Sequence, residues 1–173
     1  RCKTDIRSSL NGTGASLRQA ITVNANGAQH DDEHVEIHHH HGHTYSDLVM
    51  NSACGGSSHF IGTGLLTIAE GANKTDASQV FRNLLLSEKA RAEAIPELEV
   101  LADDVSAAHG AASAPIDSEQ MHYLMSRGLK PEDAQSMIVS GFLNDAFSNL
   151  TNTTLIEEMR TRLTVHLECE LKR

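Results

Sequence analysis

The densest group of chemically active side chains lies in the run His34–His43, which contains six of the 11 histidines of this 173-residue chain. Alternate side chains of an extended strand share a face, so His34, Glu36, His38 and His40 are expected on one side. The other side would carry Val35, Ile37, His39 and His41. Imidazoles and a carboxylate in this arrangement are ligands for zinc, iron or nickel. One hypothesis is therefore a metal-dependent β-fold enzyme with a cupin-like site on this strand, and the alternative is a solvated row of histidines on a β-solenoid.

A second candidate is His109, which lies in a stretch of small residues at 106–112. Small neighbours let another backbone approach closely, or leave room for a bound group. Without other ligands nearby in the sequence, a structural role for this histidine is also open. The preceding pair Asp103 and Asp104 most simply predicts a turn.

The three cysteines Cys2, Cys54 and Cys169 are odd in number and include no C-x-x-C spacing. They indicate neither a disulfide framework nor a zinc ribbon, and they suit a reducing cytoplasm. None forms a recognisable nucleophile–base pattern, and no phosphate-binding Walker motif is present, so any ATPase activity would belong to a partner. The net charge of −9 argues against binding to nucleic acid or to an anionic membrane surface.

Up to residue 114 the chain reads as short strands punctuated by glycine and asparagine. Segments such as Leu65–Ile68, Val80–Leu86 and Leu98–Leu101 have strand-like composition. The chain has no Trp, 2 Tyr and 4 Phe, which favours a stack of aliphatic layers over an aromatic-rich sandwich. We therefore predict that residues 1–114 form a right-handed parallel β-helix, although no strict repeat period is evident. The strand-like start without a methionine leads us to expect that an N-terminal portion is missing.

After residue 114 the apolar period becomes helical, which predicts a small helical domain over residues 115–173. Asp117 suits the N-cap of a first helix with Gln120 completing a capping box, and Gly128 suits the stop after that helix. Pro131 fits the first turn of a second helix. A last helix is expected to begin near Thr154.

Three longer segments resemble the SufB/SufD family of iron–sulfur cluster assembly proteins: Ala72–Ser87, Ile95–Gly110 and Tyr123–Ala134. Shorter similarities occur at Thr4–Gly12 and His38–Leu48, in the family's order. The resemblance implies a β-helix followed by a helical domain, and a non-catalytic scaffold in the cytoplasm. It also implies pairing with a SufB-type subunit or with a second copy of the chain, and these two alternatives stay open.

The resemblance also implies roles for individual residues. His109 falls on the histidine that SufD-type chains contribute to a nascent iron–sulfur cluster site at the subunit interface. Phe81 and Gly110 fall where SufB-type chains carry a cysteine and a glutamate, so a partner would have to supply the thiolate and the carboxylate. The helical domain would dock a SufC-like ABC ATPase. Candidate docking residues are Tyr123, Arg127, Gly128, Met137 and Phe142. No cofactor is expected to be stably bound, and the use of flavin leaves no motif to inspect.

Overall fold

The computed structural model describes the backbone of residues 1–171 and the side chains of residues 1–167. Eight strands of similar length precede three helices. The strands are β1 (Cys2–Leu10), β2 (Ser16–Ala25), β3 (His30–His39), β4 (Tyr45–Cys54), β5 (His59–Ile68), β6 (Asp76–Leu85), β7 (Arg91–Val100) and β8 (Ser106–Pro115). The odd-numbered strands form one parallel sheet in the order β1-β3-β5-β7, and the even-numbered strands form a second in the order β2-β4-β6-β8. The predicted parallel β-helix is confirmed, and its right-handed sense stays a prediction.

The coils of this β-helix differ in length, which explains why the sequence shows no strict period. In the first sheet His30 pairs with His59, an offset of 29 residues, whereas His59 pairs with Arg91, an offset of 32. In the second sheet Tyr45 pairs with Asp76, an offset of 31. The insertions fall in the turns, so the ten-residue strands stay aligned while the turns vary.

Inward-facing side chains from both sheets form two hydrophobic clusters inside the β-helix, a larger one and a smaller one around Leu66 and Ile68. Because strand residues alternate between faces, every second residue points into the lumen. The larger cluster includes Val35, Ile37, Leu48, Met50, Phe60 and Phe81, each at most 1% exposed. The lumen is too narrow for rings at every level, and β5 therefore carries glycine at two inward positions. A Cβ atom at Gly64 would lie 2.5 Å from Cζ of Phe81, so the ring occupies the space that a larger residue would need.

Three helices follow the last strand: α1 (Ser118–Ser126), α2 (Pro131–Asp145) and α3 (Thr153–Leu171), with a short 3-10 helix at Ala146–Asn149. The carboxylate of Asp117 caps α1 by accepting a hydrogen bond of 2.9 Å from the N–H of Glu119. Gly128 lies in the turn after α1 and has the left-handed φ of +97° that the predicted helix stop requires. Pro131 is the first residue of α2, as predicted. Cys169 falls within α3, but its side chain lies outside the described residues. None of the helices in the described part of the chain is both long and apolar enough to cross a membrane.

The helices pack on the outer face of the second sheet, over β2 and β4. Their shared core consists of Ala53, Leu84, Val139, Leu143, Phe147 and Leu163. Polar contacts fix the position: Nδ2 of Asn149 donates to the carbonyls of Gln19 and Asp47, at 3.3 and 3.2 Å. Nδ2 of Asn51 donates to the carbonyl of Phe142 at 2.8 Å. β8 lies beyond β6 and outside this packing, which leaves the last coil uncovered.

Candidate functional site

His109 lies in the middle of β8, the last strand of the second sheet. It aligns with Gln79 of β6, and aligned residues of parallel strands face the same side. Gln79 is an inward residue and is 1% exposed, so His109 belongs to the lumen-facing set. His109 is nevertheless exposed, because no described strand stacks on the last coil to cover it. The imidazole is therefore at the mouth of the lumen, accessible to a group that approaches the end of the β-helix.

The coil beneath His109 is held by buried side-chain amides. Nε2 of Gln79 donates to the carbonyl of Glu97 at 2.8 Å, which ties the two sheets together at this level. Nδ2 of Asn83 donates to Oγ of Ser113 at 3.0 Å and anchors β8 on β6. Buried amides that are paired in this way hold one arrangement of the backbone, since breaking either bond would leave a polar group without a partner. The platform under His109 is therefore fixed.

The two positions where the resemblance places a SufB-type cysteine and glutamate differ sharply in surroundings. Phe81 is 1% exposed and its ring fills the lumen against Gly64. Gly110 is in β8, and an added Cβ there would meet no atom within 4 Å. The end of the β-helix thus presents an imidazole, but neither residue supplies a thiolate or a carboxylate beside it.

Cys54 is the buried cysteine of the described side chains and faces the lumen two coils below β8. Its thiol lies 3.8 Å from Oγ of Ser52. Burial raises the pKa of this thiol, which keeps it protonated and weakly nucleophilic. Cys54 is therefore a core residue, and its residue type and spacing alone could not distinguish it from a reactive cysteine.

Residues 34–39 face the two sides of β3 as the sequence predicts, but the strand ends at His39. His40 and His41 lie in the following turn and are both exposed, so the predicted facing is wrong for them, and the run does not form a metal site. Glu36 lies between two imidazoles and pairs with Nε2 of His34 at 3.0 Å and with Nε2 of His38 at 3.2 Å. Hydrogen bonds from His34 and then His38 lower the pKa of this carboxylate. No group of three or more potential metal ligands is assembled among the described residues. The outer face of β3 is thus a row of paired side chains, and no observation favours the metal-dependent enzyme.

His39 is the histidine whose environment the residue types alone did not reveal. It is 0% exposed, and its ring nitrogens lie 2.8 Å from Oγ1 of Thr44 and 2.8 Å from Oγ of Ser46. Burial lowers its pKa to about 4, with smaller contributions from the neighbouring His38 and His40. The alternation of side chains along the strand nevertheless indicated its burial, because it places His39 on the inward face with Val35 and Ile37.

The helical segment separates the predicted docking residues into surface and interior groups. Tyr123 and Met137 are 57% and 54% exposed, and Arg127 is exposed with its guanidinium 5.1 Å from the centre of the Tyr123 ring. Gly128 forms the turn after α1, and Phe142 is half-buried against the shared core. Grooves on either side of α2 separate it from α1 and α3. The α1–α2 groove is lined by Asp117, Glu119, Gln120, Tyr123, Leu124 and Ile138.

Comparison with known proteins places this geometry in context. Residues 2–142 match the family model described as "SUF system FeS cluster assembly, SufBD core domain". The chain is 31% identical over 154 residues to the iron–sulfur cluster assembly protein SufD of Escherichia coli, which covers 89% of this chain and 36% of that protein. It is 32% identical over 163 residues to SufD of Bacillus subtilis, covering 94% of this chain and 36% of the relative.

A SufBD family protein of Mycobacterium tuberculosis is 31% identical over 169 residues, which covers 93% of this chain and 42% of the relative. The chain therefore spans less than half the length of the curated relatives it matches. The matched region includes all eight strands and most of α2.

Proposed function

This chain belongs to the SufBD core family of the SUF iron–sulfur cluster assembly system, and we propose that it is a non-catalytic scaffold for cluster assembly in the cytoplasm. In this proposal the end of the β-helix contributes His109 to a nascent-cluster site at a subunit interface, with the cluster as transient cargo. The C-terminal helices dock a SufC-like ABC ATPase. The observation that carries the proposal is the exposed His109 at the open end of a β-helix of this family.

The cluster site requires a second subunit for chemical reasons. Iron–sulfur clusters are held mainly by cysteine thiolates. Histidine replaces cysteine in a minority of sites, where it raises the reduction potential of the cluster. Near His109 the chain offers Phe81 and Gly110 in place of a thiolate and a carboxylate, and Cys54 is buried. A SufB-type subunit that supplies a cysteine would complete the ligand set. Such a shared site would release its cargo easily when the two subunits move apart.

Replacement of His109 tests the cluster site. We expect His109→Ala to slow cluster transfer to an apo-acceptor at least several-fold, in an anaerobic assay that contains a SufB-type subunit and a SufC-like ATPase. His166→Ala is the matched control, because His166 is exposed on α3 and far from β8 in sequence. The complex should still form with His109→Ala, as judged by size-exclusion chromatography. Transfer at the control rate by an intact His109→Ala complex would refute the cluster site.

The docking surface for the ATPase is proposed on α1 and on the exposed side of α2. No residue of α1 is fully buried, and its side chains Tyr123 and Met125 are 57% and 41% exposed. Its exposed ring, Tyr123, borders the α1–α2 groove, and Met137 is exposed on α2. Aromatic and methionine side chains of this kind are enriched at protein interfaces.

A double variant tests the docking surface. Tyr123→Ala with Met137→Ala should weaken binding to a SufC-like ATPase at least tenfold in titration calorimetry. Leu155→Ala is the control, since Leu155 is an apolar residue of α3 with comparable exposure, 47%. Truncation of exposed side chains should leave the circular dichroism spectrum unchanged. Equal affinities of the double variant and the control would exclude docking at this surface.

A further inference from the structure

The five methionines of this chain have very different surroundings. Met50 packs in the lumen of the β-helix and is 1% exposed. Met121 and Met159 are half-buried in the helical segment. Met125 and Met137 are exposed, at 41% and 54%. An oxidant has to reach the sulfur of a thioether to react with it, so exposure divides these side chains into a protected and a reactive group.

Met137 is the more exposed of the two reactive methionines, and it lies on the groove between α2 and α3. The apolar walls of this groove include Leu129 and Leu167, and Ser140 lines the same groove. Met137 and Ser140 are three residues apart on α2, a spacing that makes their side chains neighbours on the helix surface. The side chain of Met137 is therefore accessible from solvent and has a hydroxyl group beside it.

The hydroxyl of Ser140 can donate a hydrogen bond to an oxidised Met137. Nδ2 of Asn144 donates to the carbonyl of Ser140 at 2.8 Å and to its Oγ at 3.3 Å. Oγ of Ser140 is thus an acceptor toward Asn144, and its own proton is left for another partner. The oxygen of a methionine sulfoxide accepts hydrogen bonds, so this contact would draw the oxidised side chain into the groove and away from the outer surface of α2.

We propose that Met137 is an oxidation site through which hydrogen peroxide weakens the docking of the SufC-like ATPase. The regulation rests on the docking surface proposed above, whereas the oxidation itself does not. In the reaction the O–O bond of the peroxide breaks and an S–O bond forms. The thioether is oxidised by two electrons to the sulfoxide, and the peroxide is reduced to water. A methionine sulfoxide reductase reverses the step, with the oxidation of two thiols to a disulfide and the release of water.

Oxidation removes the property of Met137 that suits a docking surface. A methionine side chain is apolar and flexible, and methionine is enriched at protein interfaces. The sulfoxide is polar and chiral, so burying it against an apolar partner would leave its oxygen without the hydrogen bonds that water provides. The two events exclude one another, because a bound ATPase would cover Met137 and protect it from peroxide.

Peptide mass spectrometry after brief treatment of the chain with hydrogen peroxide measures the oxidation of each methionine. We expect sulfoxide to form at Met137 and Met125 at least tenfold faster than at Met50, which is buried. A SufC-like ATPase that is bound before the treatment should slow the oxidation of Met137 at least fivefold. Oxidation of Met137 no faster than that of Met50, or at equal rates with and without the bound ATPase, would overturn the proposal.

Titration calorimetry measures the effect on docking. After treatment of the chain, catalase removes the peroxide and dithiothreitol restores the exposed thiol of Cys2 without reducing methionine sulfoxide. The affinity of the wild-type chain for the ATPase should then be at least fivefold weaker. Met137→Leu retains an apolar side chain without sulfur, so its affinity should be the same before and after treatment. Met125→Leu is the matched control and should remain sensitive, whereas a loss in Met137→Leu equal to that of the wild type would refute the assignment.

The docking proposal and this proposal fail in different ways. If Tyr123→Ala with Met137→Ala binds the ATPase as tightly as Leu155→Ala, the docking surface is wrong and the regulatory role of Met137 falls with it. If the double variant binds weakly but the peroxide-treated wild-type chain binds with full affinity, the docking surface stands and the oxidation site is wrong.

Discussion

The buried imidazole of His39 should make the stability of the β-helix fall as the pH is lowered. Its ring is 0% exposed, and both ring nitrogens are hydrogen-bonded to hydroxyl groups. The hydroxyl of Thr44 donates to the carbonyl of His41, so Nδ1–H of His39 is assigned as the donor to Thr44, and Nε2 accepts from Ser46. A second proton would have to enter at Nε2, where it would reverse the Ser46 hydrogen bond and charge a buried ring.

The sign and size of this effect follow from the two pKa values. In the folded chain the pKa of His39 is about 4, compared with 6.5 for an unperturbed histidine. The unfolded chain therefore binds the proton more readily, and the contribution of His39 to stability is complete above pH 6.5 and is lost as the pH falls toward 4. Between about pH 7.5 and about pH 5 the expected loss in the free energy of unfolding is about 2 kcal/mol.

Urea denaturation of the wild-type chain and of His39→Gln, each at both pH values, measures this contribution. Glutamine retains hydrogen bonding to a hydroxyl group but does not titrate, so the variant should lack about 2 kcal/mol of the wild-type pH dependence. All other ionisable groups are the same in the two proteins, so their contributions cancel in the comparison. The reasoning fails if the two proteins lose the same free energy of unfolding between the two pH values.

Two further substitutions test the packing that positions the end of the β-helix. Gly64→Ala should destabilise the chain by about 1–3 kcal/mol, because the new Cβ would lie 2.5 Å from Cζ of Phe81. Gly141→Ala, on α2 with open space around it, should instead be neutral or stabilising, and equal urea midpoints for these two variants would contradict the steric argument. Asn149→Ala removes the donor to two strand carbonyls and should cost about 1–3 kcal/mol in the same assay, whereas a loss below a few tenths would show that the amide does not anchor the helices.

The architecture was predictable from local signals, while the extent of its strands was not. Asp117, Gly128 and Pro131 mark helix boundaries through side-chain and backbone chemistry that acts within a few residues. The strand signals at Leu65–Ile68 and Leu98–Leu101 cover only the apolar ends of β5 and β7. The remainder of those strands contains glycine, proline and glutamate, whose strand conformation depends on pairing with the coil below.

The site was predictable only as far as the residue types and the family resemblance reached. His109 stands out because few side chains near it carry chemistry, and the resemblance added its role. The exposure of His109 at the mouth of the lumen depends on its alignment with Gln79 of β6. This alignment could not be predicted from the sequence, because the turns between the strands vary in length. In the histidine run, the alternation of strand residues predicted the facing of residues 34–39 correctly but did not show that the strand ends at His39. It also could not show that Glu36 pairs with His34 and His38 instead of leaving its oxygens open to a metal.

The two ends of the second sheet differ because their outward residues differ. On β4 and β6 the outward residues Ala53 and Leu84 are apolar and lie under the helices, whose position Asn149 fixes by contacts with two strands. On β8 the outward residues are alanine, serine and glycine, which offer too little apolar area to hold a helix but allow a second backbone to approach. The helices thus cover the outer face of β2 and β4, while β8 stays open to a subunit partner. α1 is joined to β8 by only Ile116 and Asp117, so a movement of the helices by an ATPase would reach the strand of His109 through this short linker. The paired amides of Gln79 and Asn83 hold the coil of His109 on the rest of the β-helix and would oppose its displacement.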